Sequence, residues 1–366
     1  MNKLYKRIVL LVISLFFITT NVYAYTDTAK STVVIDNESK RILYEKNKDE
    51  QRLIASITKI MTAVIAIENK NLDDVVTIGN EILPMYGSNI YIEVGEKISL
   101  RDLLYGLILR SGNDAAVAIA TFVGGTESKF VEMMNKKAQE IGMKNTIFNN
   151  SHGLDDEENR NYSTAYDMAV LSAYANTLME YCEISNTKNW KTSTNEKTYL
   201  WNNRNKLLNN YKYATGGKTG YTPKAGKTLV TTANKNKLNL TIVTLNDNNM
   251  YNTHESLYEY IFNKYEKVLL IDKNDFDIED SFYKGTIYIK KSFSYPLTEK
   301  EQKLTQVVVN LFKIKKYKND DKVGEIIVKL NEKEIYKDSI YIKVKEEKKT
   351  GIWEKILIFF KKILNI

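Results

Sequence analysis

The chain has 366 residues, of which 43% are hydrophobic and 27% charged, and its formal net charge is +8 at pH 7. This composition suits a globular protein of about two domains. Basic residues are interleaved with acidic ones and no nucleic-acid-binding module is recognisable, so we expect no nucleic-acid partner and favour an anionic membrane or cell wall.

The residue types that build metal and redox sites are scarce. The chain has one cysteine, Cys182, and two histidines, His152 and His254. It therefore has little with which to form an internal disulfide, a multi-His metal site or a His-based catalytic relay. No glycine-rich phosphate loop of known spacing is present either, and we expect no metal and no cofactor.

Residues 1–24 have the pattern of a secretory signal peptide. A basic start is followed by an apolar run over residues 8–18 and by a small-residue cleavage site that ends at Ala24. We therefore expect export and cleavage before Tyr25. An uncleaved N-terminal anchor is the alternative, although the apolar run is short for spanning a bilayer.

The segment from residue 25 to residue 265 is predicted to be one α+β domain. Residues 32–36 and 41–45 have the pattern of a hairpin, helical patterns then dominate to about residue 185, and strand patterns return over residues 218–245. A last helical pattern at residues 256–265 is predicted to pack on the sheet. We expect an antiparallel sheet with helices on both sides.

A first motif lies at the start of a predicted helix. Ser56 and Lys59 belong to the sequence Ser-Ile-Thr-Lys, and the apolar residues from Ile57 to Ile67 have the spacing of a largely buried helix. Residues three apart share one helix face, so the hydroxyl and the amine are expected to meet.

A second motif links two predicted buried helices. Ser111 and Asn113 belong to the sequence Ser-Gly-Asn, which follows the apolar stretch 103–109 and precedes the stretch 115–120. The link is therefore expected at a packed edge.

A third motif, Lys-Thr-Gly, begins at Lys218 after two glycines. Two further strand patterns, at residues 228–232 and 238–245, follow at hairpin distance. We expect Lys218 on the first of three antiparallel strands.

The same three patterns recur in the same order elsewhere in the chain. Ser185 with Lys188 repeats the first, Ser193 with Asn195 the second, and Lys349 begins another Lys-Thr-Gly. No apolar stripe follows Ser185, which indicates a polar loop, and Lys349 lies in a charged linker. A motif counts only in its structural setting, so we assign the site to the first set.

Residues 270–345 are predicted to form a separate, small β-rich domain with no catalytic residue. The strand patterns that indicate it are residues 286–290, 306–309, 325–330, 333–336 and 340–344.

The last segment, residues 351–366, has an amphipathic helical pattern. At 1.5 Å per residue it would be about 24 Å long, which is too short for comfortable membrane spanning. We expect it to anchor the protein by lying in the membrane interface, with its lysines near the phosphates and Trp353 at the boundary. A helix that docks on the protein's own core is the alternative.

The three motifs supply the groups that an active-serine site needs. A serine hydroxyl is a poor nucleophile until a base takes its proton, and Lys59 is the candidate base for Ser56. An amine is neutral at physiological pH only if burial or another cation disfavours its charge, and Lys218 is the candidate cation. Ser111 is predicted to relay a proton to the leaving amine, and Asn113 to position Lys59 or to hold a substrate amide.

The residues after Lys218 are predicted to hold the substrate. Gly220 lets a substrate backbone approach the strand, and Thr219 offers a hydroxyl to a terminal carboxylate. The main-chain N–H groups of Ser56 and Tyr221 are expected to form an oxyanion hole. The predicted catalytic residues are Ser56, Lys59 and Ser111, and the predicted substrate-binding residues are Asn113, Lys218, Thr219, Gly220 and Tyr221.

The chain resembles the low-molecular-mass penicillin-binding proteins that are D-alanyl-D-alanine carboxypeptidases, serine peptidase family S11. The resemblance covers nearly the whole chain, and it extends beyond the three motifs to the blocks at residues 55–62, 87–88, 103–120, 151–155, 163–168, 203–205 and 217–222. It implies a β-lactamase/transpeptidase-like domain, a β-rich domain and an amphipathic tail at the extracytoplasmic face of the cell membrane.

The resemblance also implies the reaction. The penultimate D-alanine carbonyl of a peptidoglycan stem pentapeptide would acylate Ser56, D-alanine would leave, and water would clear the acyl-enzyme. β-Lactam antibiotics would acylate the same serine.

One position departs from the family pattern. Some members carry an arginine after the last strand of the sheet that holds the substrate carboxylate, but here Met250 aligns with it and His254 is the nearest potentially basic side chain. Carboxylate recognition is therefore expected to depend on Thr219 and Lys218. His152 is expected to brace a loop rather than to act in catalysis.

Three other functions fit parts of the pattern. A class A β-lactamase has Asp where Gly112 stands and a deacylating glutamate, whereas Glu157 and Glu158 lie in a charged segment here. A non-catalytic, penicillin-reactive wall-binding protein gains nothing from an activatable serine beside two lysines. An endopeptidase acting on peptidoglycan cross-links would use the same residues as a carboxypeptidase, so it stays the main alternative.

Overall fold

The protein is described by a computed structural model that covers residues 25–156, 158–276 and 278–344. The predicted signal peptide (residues 1–24) and the predicted membrane helix (residues 351–366) lie outside the described residues. The chain divides into two compact units after Glu266. In the part of the chain that is described, no helix has both the length and the apolar character to cross a bilayer.

The first unit alternates helices and strands, with its main sheet built from both ends of the unit. Its strands are β1 (Ser31–Asp36), β2 (Ile42–Lys46), β3 (Arg52–Leu53), β4 (Val75–Thr77), β5 (Lys97–Ser99), β6 (Tyr162–Ser163), β7 (Asn189–Ser193), β8 (Thr198–Asn202), β9 (Ala214–Thr222), β10 (Gly226–Lys235) and β11 (Leu238–Leu245). Its helices are α1 (Lys59–Asn69), α2 (Leu100–Tyr105), α3 (Asn113–Gly124), α4 (Glu127–Glu140), α5 (Ala165–Ala175), α6 (Met179–Asn186), α7 (Leu207–Asn210) and α8 (Met250–Lys264).

A five-stranded antiparallel sheet in the order β2-β1-β11-β10-β9 is the centre of this unit. Val33 and Val243 pack with α5 on one face, whereas Val34 and Ile242 pack with α8 on the other. Since successive side chains of a strand point to opposite faces, strands that are covered on both sides are apolar almost throughout. The predicted α+β fold with helices on both sides of an antiparallel sheet is confirmed.

The functional motifs converge at the β9 edge of this sheet. β9 is the last strand in the sheet order, and the short turn that precedes α1 packs against both β9 and β10. Helix α1 is buried from Lys59 to Ala66 among α3, α4 and α5. Helix α1 therefore begins beside the edge strand β9. Because the helix is buried, its first side chains are held rigidly beside that strand.

Two local predictions differ from the structure. Ser56 lies in a 3₁₀ turn (Ala55–Thr58), and the α-helix begins only at Lys59. The expected polar loop at Ser185 is wrong, because Ser185 is buried near the end of α6. The residues that hold this helix, Tyr181 and Ile184, precede Ser185, whereas the prediction considered those that follow it.

The second unit is rich in β-structure. Its elements are β12 (Glu266–Ile271), β13 (Gly285–Ile289), β14 (Phe293–Leu297), a short helix α9 (Glu299–Gln302), β15 (Thr305–Leu311), β16 (Lys322–Leu330) and β17 (Lys333–Val344). Four strands form a sheet in the order β13-β17-β16-β15, and β12 pairs with β14. The two strands predicted at residues 333–336 and 340–344 are one continuous strand, β17, and β12 and β14 were not predicted.

Candidate active site

Ser56 and Lys59 meet at the junction of the 3₁₀ turn (Ala55–Thr58) and α1. Lys59 Nζ is 3.1 Å from Ser56 Oγ, and the lysine is fully buried while the serine is partly exposed. Ala55 has a positive φ of 50°, and Gly153 packs so closely on its carbonyl that no side chain fits there. The tight turn therefore presents the hydroxyl to the cleft and keeps the amine behind it.

Lys59 Nζ has three polar neighbours, and only one of them is able to give it a proton. It donates to Asn113 Oδ1 at 2.7 Å and to the main-chain oxygen of His152 at 2.5 Å. The Asn113 amide is oriented by Nδ2, which donates to Tyr86 O at 2.6 Å, so its oxygen faces the lysine. A neutral amine has two N–H groups for these two acceptors, and its lone pair is left for the hydroxyl of Ser56.

The surroundings of Lys59 favour this neutral form. Burial and then the positive charge of Lys218 lower the pKa of Lys59 well below its usual value, and Arg204 adds to the effect, while Asp114 opposes it. Lys59 is therefore suited to act as a general base at physiological pH.

Ser111 and Lys218 form a second pair opposite Ser56. The π-helical segment Gly106–Arg110 ends at Ser111, whose φ of 65° is rare for a residue other than glycine. In this conformation Ser111 Oγ accepts a hydrogen bond of 3.0 Å from Lys218 Nζ, which also donates to Thr219 O at 2.7 Å. Burial, with a contribution from Arg204, lowers the pKa of Lys218 to about 7, so this lysine exchanges protons near neutrality.

The outer edge of β9 lies beside Ser56. A Cβ built on Gly220 would be 2.9 Å from the main-chain nitrogen of Ser56, so only glycine leaves that N–H accessible. Tyr221 is 64% exposed. The sequence predicts that this residue contributes its main-chain N–H to the oxyanion hole. This edge is where an oxyanion between Ser56 and β9 would be placed.

A cleft of about 340 Å³ opens over these groups. It is lined by Ser56, Ser88, Ser111, Arg204, Thr219, Gly220, Tyr221, Lys227, Met250 and Tyr251. Five of the eight predicted site residues line it, and the other three, Lys59, Asn113 and Lys218, are hydrogen-bonded directly behind it.

Sequence reasoning missed two cations of this cleft, Arg204 and Lys227. Arg204 lies in a block that carries the family resemblance but received no role, and its Nη1 donates to Ser88 Oγ at 2.7 Å. Lys227 follows the turn after Tyr221 and pairs with Tyr221 across the hairpin, which is the signal that places it near the site. Both cations line the cleft together with Met250.

The expectation that His254 is the nearest basic side chain to Met250 is wrong. His254 is completely buried between α8 and the sheet, where its ring nitrogens are 2.7 Å and 3.0 Å from the hydroxyls of Thr231 and Thr244. Burial lowers its pKa to about 3, so it is neutral and does not reach the cleft.

His152 acts on the site through its backbone. Its ring accepts a hydrogen bond of 3.1 Å from Leu154 N, which braces the loop, and burial lowers its pKa to about 3. The hydrogen bond from Lys59 Nζ to the main-chain oxygen of His152 was not predicted. Sequence patterns do not indicate which main-chain carbonyls point into a site.

The repeated motifs do not share this geometry. Ser185 Oγ donates to Cys182 O at 3.4 Å inside its own helix, and Ser193 pairs with Thr198 within the β7–β8 hairpin. Lys349 lies outside the described residues, as does Glu157. Glu158 is exposed and is not among the residues that line the cleft.

Comparison with known proteins agrees with this geometry. A family model described as "D-alanyl-D-alanine carboxypeptidase" matches residues 19–249. The D-alanyl-D-alanine carboxypeptidase DacF of Bacillus subtilis is 34% identical over 297 residues, which are 76% of this chain and 75% of DacF. A D-alanyl-D-alanine endopeptidase of Pseudomonas aeruginosa is 35% identical over 220 residues, 58% of this chain and 70% of that protein.

Solved structures extend the likeness to both units. Penicillin-binding protein 5 from Haemophilus influenzae has a TM-score of 0.73 at 27% identity, covering 88% of this chain and 98% of that one. The D-alanyl-D-alanine carboxypeptidase DacD from Francisella tularensis has a TM-score of 0.67 at 26% identity and covers 90% of this chain and 98% of that one. The family model matches most of the chain and DacF is 34% identical over 76% of it, so the chain belongs to the D-alanyl-D-alanine carboxypeptidase family of serine peptidases.

Proposed function

We propose that this protein removes the terminal D-alanine from peptidoglycan stem peptides that end in D-Ala-D-Ala, and that Ser56 is the nucleophile. The observation that carries the proposal is the environment of Lys59 Nζ. Two partners that only accept, Asn113 Oδ1 and His152 O, take the N–H groups of the neutral amine and leave its lone pair for Ser56 Oγ.

Acylation follows from this arrangement. Ser56 Oγ attacks the carbonyl carbon of the penultimate D-alanine while its proton moves to Lys59 Nζ. The oxyanion that forms accepts hydrogen bonds from the main-chain N–H groups of Ser56 and Tyr221. The C–N bond then breaks, the serine ester stays on the protein, and D-alanine departs.

The departing amine needs a proton, and the Ser111–Lys218 pair supplies a route for it. Ser111 Oγ gives its proton to the leaving nitrogen and is reprotonated by Lys218 Nζ, 3.0 Å away. Lys59 is then protonated and Lys218 is neutral, and transfer of the proton from Lys59 to Lys218 returns both amines to their starting states. Water then attacks the ester with Lys59 again as the base, which regenerates the hydroxyl of Ser56 and releases the shortened peptide.

The proposal is tested by D-alanine release from a stem pentapeptide ending in D-Ala-D-Ala, with the full chain as the enzyme. We expect release from the wild type, a loss of at least about 1,000-fold in Ser56→Ala, and full activity in Ser193→Ala, which removes the serine of a repeated motif. Normal release from folded Ser56→Ala would refute the assignment.

The same protein preparation distinguishes a carboxypeptidase from an endopeptidase and from a β-lactamase. Benzylpenicillin is expected to acylate the wild type but not Ser56→Ala, which mass spectrometry of the intact protein would show. Cleavage of cross-linked dimeric stem peptides without D-alanine release would instead establish the endopeptidase named for the Pseudomonas aeruginosa relative. Penicillin hydrolysis without D-alanine release would indicate a β-lactamase.

The family acts on the cell wall, and we propose that this protein does so from the extracytoplasmic face of the membrane, held by residues 351–366. The amphipathic pattern of that segment supports the tether. Deletion of residues 351–366 is expected to move the protein from the membrane fraction to the soluble one. Retention of the deleted protein in membranes, once cleavage before Tyr25 is verified, would count against it.

A further inference from the structure

We propose that Lys227 binds the terminal carboxylate of the substrate, together with the hydroxyl of Thr219. This inference rests on the proposed function, since a carboxypeptidase must distinguish a chain end with a free carboxylate from an internal peptide bond. An anion at that end calls for a cation in the cleft. Among the described residues, the cations Arg204 and Lys227 line the cleft, and Lys218 lies directly behind it.

The register of the sheet puts Lys227 and Thr219 on the same face. On the paired strands β9 and β10, Tyr221 lies opposite Lys227 and Thr219 lies opposite Leu229. Lys227 is therefore the diagonal neighbour of Thr219, about 7–8 Å away between backbones, a gap that a long side chain reaches across. Met250 lines the same cleft.

Lys227 is free to bind an anion. It is exposed, and its Nζ donates to the main-chain oxygen of Asn248 at 3.2 Å. Among the residues that the structure describes, no carboxylate forms an ion pair with it. A main-chain carbonyl is neutral, so this contact does not neutralise the side chain of Lys227 before a ligand binds.

The other two cations have different positions and tasks. Lys218 is buried and donates to Ser111 Oγ and Thr219 O, so its charge lies behind the cleft with the proton-transfer groups. Arg204 donates to Ser88 Oγ, and the main-chain oxygen of Ser88 receives the N–H of Asn113. The guanidinium of Arg204 is therefore already engaged with the segment that holds Asn113.

The experiment compares a substrate with its uncharged analogue. Kinetics of the full chain are measured on a diacetylated Lys-D-Ala-D-Ala tripeptide and on the same peptide as its C-terminal amide. In Lys227→Gln we expect the acid-to-amide ratio of kcat/KM to fall by about 10-fold, mainly through KM, as for loss of one charge-assisted contact. Lys227→Arg should keep the ratio.

Two further variants serve as controls. Lys224→Gln removes an exposed lysine of the same turn that does not line the cleft, and it should keep the wild-type ratio. Met250→Arg, introduced into Lys227→Gln, should restore the preference for the acid by returning a cation to the same wall. An unchanged ratio in Lys227→Gln, or an equal loss in Lys224→Gln, would overturn the proposal.

A second readout keeps this test independent of the proposed reaction. Acylation by benzylpenicillin is compared with acylation by its methyl ester, which lacks the carboxylate. If the wild type releases no D-alanine, the proposed function fails, and the penicillin acid-to-ester ratio still tests Lys227. A fall of about 10-fold in Lys227→Gln supports the carboxylate site, and no fall refutes it.

Discussion

At the scale of single residues, the pKa values of the two buried lysines depend on the positions of neighbouring positive charges. Arg204 lines the cleft, and its guanidinium contributes to lowering the pKa of both Lys59 and Lys218. Its charge therefore acts on the amines of Lys59 and Lys218 without a recorded hydrogen bond to either. Arg204 is best described as a positioning and tuning residue.

Replacing Arg204 by glutamine is predicted to shift the pH profile of Ser56 acylation. Without the guanidinium charge the protonated forms of Lys59 and Lys218 become easier to form, so the pKa of each rises. The ascending limb, which requires neutral Lys59, and the descending limb, which requires protonated Lys218, both move to higher pH. Penicillin acylation measured from pH 5 to pH 10 checks this, with Arg204→Lys as the control that keeps the wild-type profile.

Gly220 is predicted to be essential for acylation although it carries no side chain. In Gly220→Ala the added methyl group would press on Thr228 Oγ1 and would lie 2.9 Å from the main-chain nitrogen of Ser56, where it would obstruct the N–H that we propose for the oxyanion. We expect acylation by penicillin to fall by about 100-fold or more, the loss typical of one oxyanion donor. A melting temperature close to that of the wild type would show that the loss is local, and near-normal acylation would contradict the role.

Sequence patterns placed the hydroxyl and amine groups of the three motifs and missed groups that packing brings to the site, among them the cations of Arg204 and Lys227. Ser56, Lys59 and Lys218 were found because hydroxyl and amine groups at fixed spacing identify a chemistry. The carbonyl of His152 and the left-handed backbone of Ser111 were not found, since they depend on how distant segments pack.

At the scale of elements, α8 is tied to the sheet by a neutral histidine. His254 hydrogen-bonds with Thr231 on β10 and Thr244 on β11, and burial lowers its pKa from an ordinary 6.5 to about 3. The unfolded chain binds a proton at this position below pH 6.5, whereas the folded protein does not. The contribution is fully present above pH 6.5 and is lost as the pH falls towards 3.

We therefore predict that the free energy of unfolding falls more steeply with acid in the wild type than in His254→Gln. One such group contributes a slope of up to about 1.4 kcal/mol per pH unit. Denaturant unfolding at pH 7.5 and pH 5.5 measures it, and His152 contributes equally to both proteins and cancels. Equal pH dependence in the two proteins would show that His254 is not buried in the neutral form.

Elements were predicted well where hydrophobic periodicity was uninterrupted and poorly elsewhere. The strands of the central sheet and the buried helices α1 and α3 have long apolar runs, and the sequence located them. The end of helix α6 was predicted to be a polar loop because Ser185 was judged by the polar residues after it. Strands β12 and β14 pair in a two-stranded sheet outside the main β-sheet of their unit, and neither has the regular alternation that marked its neighbours.

At the scale of the whole molecule, the chemistry is confined to the first unit. The residues that line the cleft and the lysines behind it all precede Glu266, where the chain divides. The second unit is a small β-rich structure with its own core of residues such as Val323, Val328 and Ile340. Separate cores indicate that each unit holds its shape largely through its own contacts.

A chain that ends after Tyr265 is predicted to hydrolyse short stem peptides with kcat/KM within about 2-fold of the full chain, as expected for independent units. We expect its activity on intact cell wall to fall much further, if the second unit serves as a spacer above the membrane. Both rates are measured on the same preparations. Loss of short-peptide activity in a folded truncated protein would show that the second unit supports the cleft.

The position of β9 at the edge of its sheet has a consequence for the range of stem peptides that this protein accepts. A peptide that lies along a strand edge is recognised by its main chain, which is the same in every peptide whatever its side chains. Selection is then concentrated at the scissile carbonyl beside Ser56 and at the chain end beside Lys227. Stem peptides with different upstream residues would therefore remain substrates of the same enzyme. A stem peptide whose terminal carboxylate is chemically masked would not be cleaved.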